Sequence, residues 1–426
     1  MGNFCSSALA ILLIGNLGFL VGCASQSQSE PPAATTGQVS SSTPQPSESD
    51  AEAIALVSDN PRALPVDDVE LEVIAEGLEH PWGMAWLPNG DILITERPGN
   101  LRIIRDGVLQ EEAIAGVTEV ADITAQQVFA SRQGGFLDVA IHPRFAENQW
   151  IYFSYSHGTR NANRTRVARA KFDGDRLNDW EVVFEVAQAK RGGQHFGSRL
   201  VWLPDETLLI SIGDGGNPPL QVEGILSREQ AQNLDSHLGK VVRINDDGTI
   251  PADNPFVDNP EAEPEIWSYG HRNIQGMVFD PTTQKIWATE HGSRGGDELN
   301  LVEATNNYGW PEVSFSAEYS TGRPVAPVQT RDDTITPRRV WTPAIAPSGL
   351  TIYRGDRHPE WQGNLFAGGL VSNDIRRLEF NTQGEITAES RIQINQRVRD
   401  VRTGPDGYVY VLTDEDEGRL LRINPQ

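Results

Sequence analysis

Short apolar segments alternate with polar turns along most of this chain, and one such pattern occurs six times. It consists of a proline, two to five mostly polar or turn-forming residues, and a short apolar segment. The copies begin at Pro88, Pro143, Pro204, Pro281, Pro359 and Pro405. Proline fixes its own φ and lacks an N–H donor, so it suits the position before a strand rather than one inside it. Six strand motifs at long, uneven spacing predict an all-β fold, a six-bladed β-propeller with insertions in its loops.

A second repeat indicates which strands pair with each other. Similar segments begin at Gly99, Gly239 and Gly418, with the sequences GNLRI, GKVVRI and GRLLRI. Those at Gly99 and Gly418 follow a proline–strand copy across a short turn, which predicts a hairpin within one blade. Gly90 and Gly407, each preceded by Asn or Asp, provide the positive φ that such tight turns require.

Composition narrows the possible functions of the chain. It has 426 residues, and its 40 glycines and 27 prolines suit a turn-rich all-β protein. The formal net charge is −24. Binding to nucleic acid depends on clustered Lys and Arg side chains that neutralise phosphates, so we expect no nucleic-acid partner. The two cysteines, Cys5 and Cys23, lie near the N-terminus, so no disulfide is expected in the folded part.

The N-terminal segment has the pattern of an export signal. Residues 8–22 are apolar, too few to span a bilayer comfortably, and end in LVGC. Small residues before Cys23 resemble a bacterial lipobox, so we predict a lipoprotein-type signal peptide over 1–23 with lipidation of Cys23. The protein would then be periplasmic or anchored at the outer membrane, and would touch the membrane only through this lipid. No Lys or Arg precedes Arg62. Plain secretion and N-myristoylation at Gly2 are the alternatives.

Two further domain boundaries follow from composition. Residues 24–64 are rich in Ser, Pro, Gln, Ala and Glu and contain no aromatic residue. Such a segment cannot bury a core, so it is predicted to be a disordered linker. The propeller domain is then expected to span residues 65–426.

A histidine and an aspartate in glycine-rich segments are candidates for proton transfer. His195 lies in GGQHFGSRL, and we expect it on exposed loop backbone. Its ordinary pKa suits proton abstraction near neutral pH. Asp214, in IGDGG, follows after one intervening strand, which places both residues at the same end of a blade. A carboxylate there could hold the imidazole in its basic tautomer. A turn aspartate and a solvent-facing histidine would give the same spacing.

Two arginine-containing segments have features of anion-binding sites. Arg272 and Asn273 are adjacent in YGHRNIQG and could bind anionic or carbonyl oxygens. Arg397 and Arg399 are two residues apart in a predicted strand, so both side chains point to one face. Two guanidinium groups on one face suit a ligand with several carboxylates. Solvated surface arginines are the alternative for both segments.

The loop EHGSRGGDE, residues 290–298, offers carboxylates and irregular backbone, and NNYGW follows it. Hard cations such as Ca²⁺ prefer oxygen ligands from carboxylates and backbone carbonyls. A zinc site is not expected, since the chain has no HExxH motif and no cysteine cluster.

Taken together, these segments resemble one known enzyme family. The resemblance runs from about residue 70 to the end and is carried by nine segments in order: HPWGMAWLPNGDILITER, RQGGFLDVAIHP, QHFGSRL, SIGDGG, SYGHRNIQG, EHGSRGGDELN, NNYGWP, APSGL and RVRDVRTGPDGYVYVLTDE. Together they resemble the soluble pyrroloquinoline-quinone (PQQ)-dependent sugar dehydrogenases, the glucose/sorbosone or aldose sugar dehydrogenase family. That family's fold is a six-bladed propeller, in agreement with the number of repeats.

The resemblance implies a role for individual residues. His195 corresponds to the general base, Asp214 to the carboxylate beside it, and Arg272 to the group near the reactive quinone carbonyl. The remaining correspondences are Gln133, Asn273, Arg397 and Arg399 for cofactor binding, Gly292 and Ser293 for a calcium ion that holds the cofactor, Glu298 and the carbonyl of Tyr308 for a second calcium, and Trp341 for the border of the sugar pocket.

The function implied is oxidation of an aldose at its anomeric carbon to a lactone, with hydride transfer to the quinone and His195 as base. The cofactors are PQQ and Ca²⁺, and the electron acceptor is not identified by the sequence. One position departs from the family pattern: some members have a cofactor-binding lysine where this chain has Val371. A calcium-dependent lactonase and a cofactor-free binding propeller are the alternative functions.

Overall fold

In the part of the chain that the structure describes, the strands form six mainly antiparallel sheets of four or five strands and one separate two-stranded hairpin. The computed structural model describes residues 57–59, 63–66, 69–117 and 128–425. In chain order the strands are β1 (Val57–Asp59), β2 (Leu64–Pro65), β3 (Val69–Leu78), β4 (Pro81–Trp86), β5 (Ile92–Glu96), β6 (Asn100–Arg105), β7 (Val108–Leu109), β8 (Phe136–Ile141), β9 (Trp150–Thr159), β10 (Ala162–Phe172), β11 (Leu177–Glu185), β12 (Leu200–Trp202), β13 (Leu208–Ile212), β14 (Gln221–Val222), β15 (Ile225–Leu226), β16 (Lys240–Ile244), β17 (Ile266–Tyr269), β18 (Ile274–Asp280), β19 (Lys285–Glu290), β20 (Asp297–Val302), β21 (Arg339–Thr342), β22 (Pro347–Ile352), β23 (Leu365–Gly369), β24 (Asp374–Phe380), β25 (Ile386–Gln393), β26 (Val398–Thr403), β27 (Val409–Thr413) and β28 (Gly418–Pro425).

The six larger sheets are the six blades of a propeller, as the repeats predicted. The first blade contains β4–β7 and the second β8–β11. The third contains four strands, namely β12, β13, β16 and β17. The fourth contains β18–β21, the fifth β22–β25, and the sixth β26–β28 together with β3. The first strands of the blades, β4, β8, β12, β18, β22 and β26, contact one another in a closed cycle. Each proline repeat leads into the second strand of one blade. The turn glycines Gly90 and Gly407 have φ of 94° and 83°.

The last blade joins the two ends of the propeller domain. The outermost strand of that blade, β3, precedes the first blade in sequence and pairs antiparallel with the C-terminal strand β28. The ring is therefore closed by a sheet to which both ends contribute.

Two short strands, β1 and β2, precede β3 in the sequence and pair with strands of other blades. Strand β1 pairs parallel with β21, and β2 pairs parallel with β25. Strand β1 falls inside the segment 24–64 that composition predicts as a linker. The predicted signal peptide 1–23, Cys23 and the linker up to residue 56 lie outside the described residues.

The hydrophobic core lies between adjacent blades, where apolar side chains from facing sheets pack together. Between the first two blades, Leu93 and Leu101 pack with Phe136, Phe153 and Tyr155, and all five are fully buried. Burying one such side chain contributes about 1.5–3 kcal/mol. The described helices are one α-helix, Phe145–Asn148, and two 3₁₀ helices, Ser227–Gln232 and Pro359–Trp361. None of these is long and apolar enough to cross a membrane.

A buried ion cluster links three of the blades. The guanidinium of Arg199 lies 2.9 Å from Asp138 and 3.1 Å from Asp400, which come from three different blades. Removing one partner from such a buried cluster typically costs about 3–5 kcal/mol. A cavity of about 1140 Å³ at one end of the ring is lined by Met84, Trp202, Met277 and Arg402, among others. None of the site residues predicted from the sequence lines that cavity.

Candidate active site

A histidine–carboxylate pair lies at the opposite end of the ring. His195 precedes β12 and Asp214 follows β13, so the antiparallel hairpin brings them together. The Nδ1 atom of His195 is 2.5 Å from Oδ1 of Asp214. Gly213 allows this approach, because a Cβ atom there would lie 2.3 Å from the carbonyl oxygen of His195. The carboxylate fixes the imidazole so that its Nε2 is the nitrogen left for a ligand.

The expectation that His195 is exposed on a loop is wrong. Its residue exposure is 3 %, because the side chain is covered by neighbouring loops. Burial lowers the pKa of His195, and the positive charges of Arg272 and Lys190 act in the same direction, while Asp214 opposes them. The imidazole is therefore neutral at physiological pH, which is the state a general base needs.

Gln133 supports the loop that carries His195. Its side-chain Oε1 accepts a hydrogen bond of 2.7 Å from the backbone N–H of His195. Its own backbone N–H donates to the carbonyl of Gly193. The predicted cofactor-binding glutamine is thus in direct contact with the histidine loop.

Asp214 is held on both of its carboxylate oxygens. Besides His195, Oδ1 accepts a hydrogen bond from the N–H of Gly216 (2.9 Å), and Oδ2 accepts one from Nε1 of Trp310 (2.8 Å). Burial alone would raise the pKa of Asp214, but His195, Arg272 and the hydrogen bond from Gly216 lower it below its ordinary value. The carboxylate therefore remains charged beside a neutral imidazole.

A buried lysine lies beside this pair. The ammonium of Lys190 donates to Oδ1 of Asn163 (2.9 Å) and lies 3.7 Å from the ring centre of Phe196. Burial lowers the pKa of Lys190 to about 7, opposed by the charge of Asp214. The backbone groups of Asn163 and Lys190 also hydrogen-bond to each other in both directions. The lysine thus braces the loop that leads to His195.

Arg272 and Asn273 line the same end of the ring. The guanidinium of Arg272 donates to the carbonyl of His291 (3.0 Å) and to Oδ1 of Asn217 (2.9 Å). Asn273 accepts from the N–H of Gly197 through Oδ1. Among the described residues, Nε of Arg272 and Nδ2 of Asn273 are buried without a hydrogen-bond partner. Both donors therefore have unused hydrogen-bonding capacity.

His291 lies among these cations. Burial together with the charges of Arg272, His195 and Arg399 lowers its pKa to about 3. Its Nε2 is buried and has no hydrogen-bond partner in the described part of the chain. The imidazole is consequently neutral and offers a free polar atom to the site.

Two glutamates face each other across the hairpin β19–β20. Glu290 and Glu298 are directly opposite in register, and Nδ2 of Asn300 donates to both (2.8 and 3.1 Å). Burial, followed by the negative charge of Glu290, raises the pKa of Glu298 to about 8. The Oδ1 atom of Asn300 is buried without a partner among the described residues. Two carboxylates and a free amide oxygen form a donor set that suits a hard cation.

The other predicted calcium ligands lie in adjoining loops. The N–H of Gly292 donates to Asp297 (2.7 Å), and the N–H of Ser293 donates to Ser316 (3.0 Å). A Cβ atom at Gly292 would lie 2.2 Å from a backbone oxygen, so this loop is tightly folded. Tyr308 is buried, and its ring stacks on His271 at a centre distance of 4.5 Å. Since His271 lies 3.2 Å from Glu290, Tyr308 belongs to the surroundings of the glutamate pair.

Arg397 and Arg399 converge as their spacing predicted. Their Nη2 atoms lie 3.1 and 2.6 Å from the same oxygen, Oδ2 of Asp414. Arg399 is buried and also donates to Gln275, whereas the side chain of Arg397 is 46 % exposed. Burial would raise the pKa of Asp414, but the surrounding arginines hold it well below its ordinary value.

The assignment of Trp341 to the border of the substrate pocket is contradicted by the structure. Trp341 lies in β21, is fully buried in the core between two blades, and donates its Nε1–H to Glu389 (2.9 Å). Its side chain therefore packs inside the propeller rather than against a ligand.

One other group in the described part of the chain has candidate ligand atoms close enough together to bind a metal ion, namely His237 with Glu263 and Glu265. The N–H of Ala187 donates to Nδ1 of His237 (3.1 Å), so the proton of the neutral ring is on Nε2, which faces Glu265 at 3.4 Å. A metal on Nε2 would require loss of that proton. We therefore interpret the group as a histidine–carboxylate hydrogen bond.

The sequence interpretation missed Trp310, Lys190 and Asn217 as parts of the site. Trp310 lies inside the quoted segment NNYGWP, and a tryptophan in a glycine–proline loop is a recognisable signal. Lys190 precedes His195 by five residues, but its burial depends on packing that no local pattern shows.

Comparison with known proteins identifies the family of this chain. Residues 78–422 match the family described as Glucose / Sorbosone dehydrogenase. Aldose sugar dehydrogenase YliI of Escherichia coli is 40% identical over 365 residues, covering 84% of this chain and 93% of that protein. An apo-form structure of the E. coli soluble aldose sugar dehydrogenase has a TM-score of 0.77, 39% identity, and coverage of 84% of this chain and 100% of the other.

Two further matches extend the comparison. The protein slr1608 of Synechocystis sp., named as uncharacterized, is 69% identical over 356 residues, covering 84% of this chain and 86% of that protein. The PQQ-bound form of an aldose sugar dehydrogenase from Streptomyces coelicolor has 25% identity and a TM-score of 0.66, covering 85% and 100%. The chain therefore belongs to the glucose/sorbosone dehydrogenase family of sugar dehydrogenases.

Proposed function

We propose that this protein oxidises aldose sugars at the anomeric carbon to lactones, with PQQ as cofactor and Ca²⁺ to hold it. The observation that carries the proposal is the contact of 2.5 Å between His195 and Asp214, at the end of the ring where a cluster of arginines also lies. The PQQ-bound Streptomyces relative supports the choice of cofactor.

His195 acts as the general base in this proposal. Its Nδ1 is engaged by Asp214, so Nε2 carries the lone pair that can take the proton of the anomeric hydroxyl. Asp214 holds the ring orientation and stabilises the imidazolium that forms. Its own charge is maintained by the hydrogen bonds from Trp310 and Gly216. The sugar then loses a hydride from the carbon whose hydroxyl proton is on His195.

The residues present fit a polycarboxylate quinone. Arg397 and Arg399 offer guanidinium groups on one face, and Nε of Arg399, Nε of Arg272 and Nδ2 of Asn273 are buried donors without partners among the described residues. Unpaired buried donors are costly, so a ligand that satisfies them would bind favourably. When bound, PQQ would supply the hydride-accepting carbonyl carbon of the reaction.

Calcium is proposed at the two places that the resemblance indicates. Gly292 and Ser293 would provide backbone carbonyls for the ion that holds the cofactor. Glu298 and the carbonyl of Tyr308 would provide ligands for a second ion, which would also neutralise the repulsion between Glu298 and Glu290. The electrons would leave to an acceptor of unidentified class.

Reconstitution of the purified apoprotein tests this function. Apoprotein mixed with PQQ and Ca²⁺ should reduce an artificial redox dye when mono- and disaccharide aldoses are supplied. The His195→Gln variant should bind the cofactor and reduce the dye about 10²–10⁴ times more slowly. Failure to bind PQQ, or dye reduction equal in the variant, would overturn the proposal. Hydrolysis of lactones with calcium alone would favour the lactonase alternative.

A further inference from the structure

The cationic cluster beside the candidate active site contains more positive charge than its one carboxylate can balance. Asp414 accepts from Arg397 and Arg399 at Oδ2, and its Oδ1 lies 3.2 Å from His80. Both oxygens of the carboxylate are therefore already engaged. Any further cation at this place has no carboxylate partner left within the cluster.

Arg97 is such a further cation. It follows β5 on the first blade, and its backbone N–H donates to the carbonyl of His80 (3.1 Å), the residue whose ring contacts Asp414. Its charge interacts with Asp414, Arg399 and Arg397. Burial lowers its pKa, partly offset by Asp414. Its Nη1 donates to the carbonyl of Arg132 (2.6 Å), and its Nε is buried without a partner. In the described part of the chain, no carboxylate lies within ion-pair distance of Arg97.

The charges of the cluster thus do not cancel. Three guanidinium groups and one carboxylate leave two excess positive charges in the cluster, of which Arg399 and Asp414 are buried, Arg97 is half-buried and Arg397 is partly exposed. Burying unbalanced charge is unfavourable unless a counter-ion is present. Nε of Arg97 and Nε of Arg399 are both buried donors that no described residue satisfies. A ligand with two or more carboxylates would satisfy both the charge and the donors.

We infer that Arg97 is a third binding residue for the carboxylates of the cofactor, acting together with Arg397 and Arg399. The inference rests on the proposed function. It also bears on Val371, the position where the family resemblance implies a cofactor-binding lysine in some members. Val371 is 62 % exposed and follows Leu370, whose carbonyl accepts from Arg397. Arg97 provides from the first blade a cation that the fifth blade lacks.

Equilibrium titration of the apoprotein with PQQ tests this inference without any turnover. Binding is followed by quenching of tryptophan fluorescence, with Ca²⁺ present and over a range of salt concentrations. Arg97→Gln should raise Kd about 10- to 100-fold and reduce the salt dependence of log Kd. Arg97→Lys should retain most of the affinity, since the charge is kept.

Two further variants separate a charge effect from a structural one. Val371→Lys should tighten binding in the native background and restore part of the affinity lost in Arg97→Gln. Arg160→Gln removes an exposed arginine outside the cluster and should leave Kd unchanged. Circular dichroism and Tm check that each variant is folded.

The outcomes distinguish the inference from the proposed function. If the native protein does not bind PQQ, the proposed function fails. If the native protein binds but Arg97→Gln binds equally well, or Arg160→Gln loses as much affinity, the inference about Arg97 is overturned while the function stands. If neither Arg97→Lys nor Val371→Lys restores binding, Arg97 is only a support for the Arg132 carbonyl, which also overturns the inference.

Discussion

The indole Nε1 of Trp310 lies 2.8 Å from Oδ2 of Asp214, although 96 residues separate them. Trp310 belongs to the loop after β20, and Tyr308 in the same loop is a predicted calcium ligand. The side chain of Gln232 secures this loop by donating to the carbonyl of Trp310 (2.7 Å) and to Oδ1 of Asn307 (3.0 Å). The histidine–aspartate pair of the third blade is therefore held by a loop of the fourth.

Replacing Trp310 by Phe should slow catalysis while leaving most packing intact. The variant loses one hydrogen bond to a charged group, typically worth about 1.5–3 kcal/mol, so we expect kcat to fall about 10- to 100-fold. Steady-state dye reduction by the reconstituted enzyme measures this. Trp202→Phe is the matched control, because Nε1 of Trp202 has no hydrogen-bond partner among the described residues. Equal loss in both variants would mean that the indole hydrogen bond has no special role.

The pH dependence of kcat/KM should reflect the lowered pKa of His195. Burial lowers the pKa of His195, so the imidazole stays neutral below the ordinary histidine value of about 6.5. Activity should therefore persist below pH 6.5 and be lost as the pH falls through the lowered pKa. A pH profile of the reconstituted enzyme measures the acid limb. An acid limb above pH 6.5 that disappears in His195→Gln would contradict the lowered pKa.

Lys190→Met should move that acid limb toward higher pH. The ammonium lowers the pKa of His195, so its removal makes the imidazole easier to protonate. Lys240→Met is a suitable control, because Lys240 is also fully buried but donates to the backbone carbonyls of Gln230, Ala231 and Leu238. We expect the control to lose stability without a shift of the limb. A shift of equal size in both variants would contradict an effect of charge at His195.

Removal of divalent cations should destabilise the protein. Without a cation, burial and the charge of Glu290 raise the pKa of Glu298 to about 8, so Glu298 is protonated near neutral pH and the stabilisation from a bound ion is lost. Treatment with a chelator should lower Tm, and added Ca²⁺ should restore it, as measured by differential scanning calorimetry. Glu298→Gln removes a proposed ligand of the ion, so its Tm should respond much less to the chelator. An unchanged Tm of the native protein, with metal confirmed absent, would rule out a stabilising site.

We also propose that Cys23 is the lipidated residue of an exported lipoprotein. The motivation is the sequence LVGC followed by a polar segment. Cys23→Ser should release the protein from the membrane fraction, whereas Cys5→Ser should not. Immunoblots of separated fractions measure this. Membrane attachment that survives Cys23→Ser would exclude lipidation at this residue.

The fold was predictable from the sequence because its signals are local. A proline before each second strand and a glycine in the turns act within a few residues, and six copies determine the number of blades. The pairing of His195 with Asp214 follows similarly from a single hairpin. In these cases the physical cause lies within a short stretch of the chain.

Burial and long-range contacts could not be predicted in this way. The exposure of His195 was misjudged because loops from other blades cover it, and Trp341 is buried because two blades pack around it. The charge of Arg97 comes near Asp414 only after the ring has closed, since the two residues come from the first and last blades. Such relations depend on tertiary packing between segments that are distant in sequence.

The short strands β1 and β2, which precede β3, cover the outer edges of two blades. β21 and β25 are the outermost strands of their blades, and parallel pairing with β1 and β2 satisfies part of their free backbone groups. Bare outer strands are templates for pairing with another molecule. A chain beginning at Val69 would keep all six blades and the active site. It would nonetheless present two uncovered edges, and we expect it to be active when dilute but prone to aggregation when concentrated.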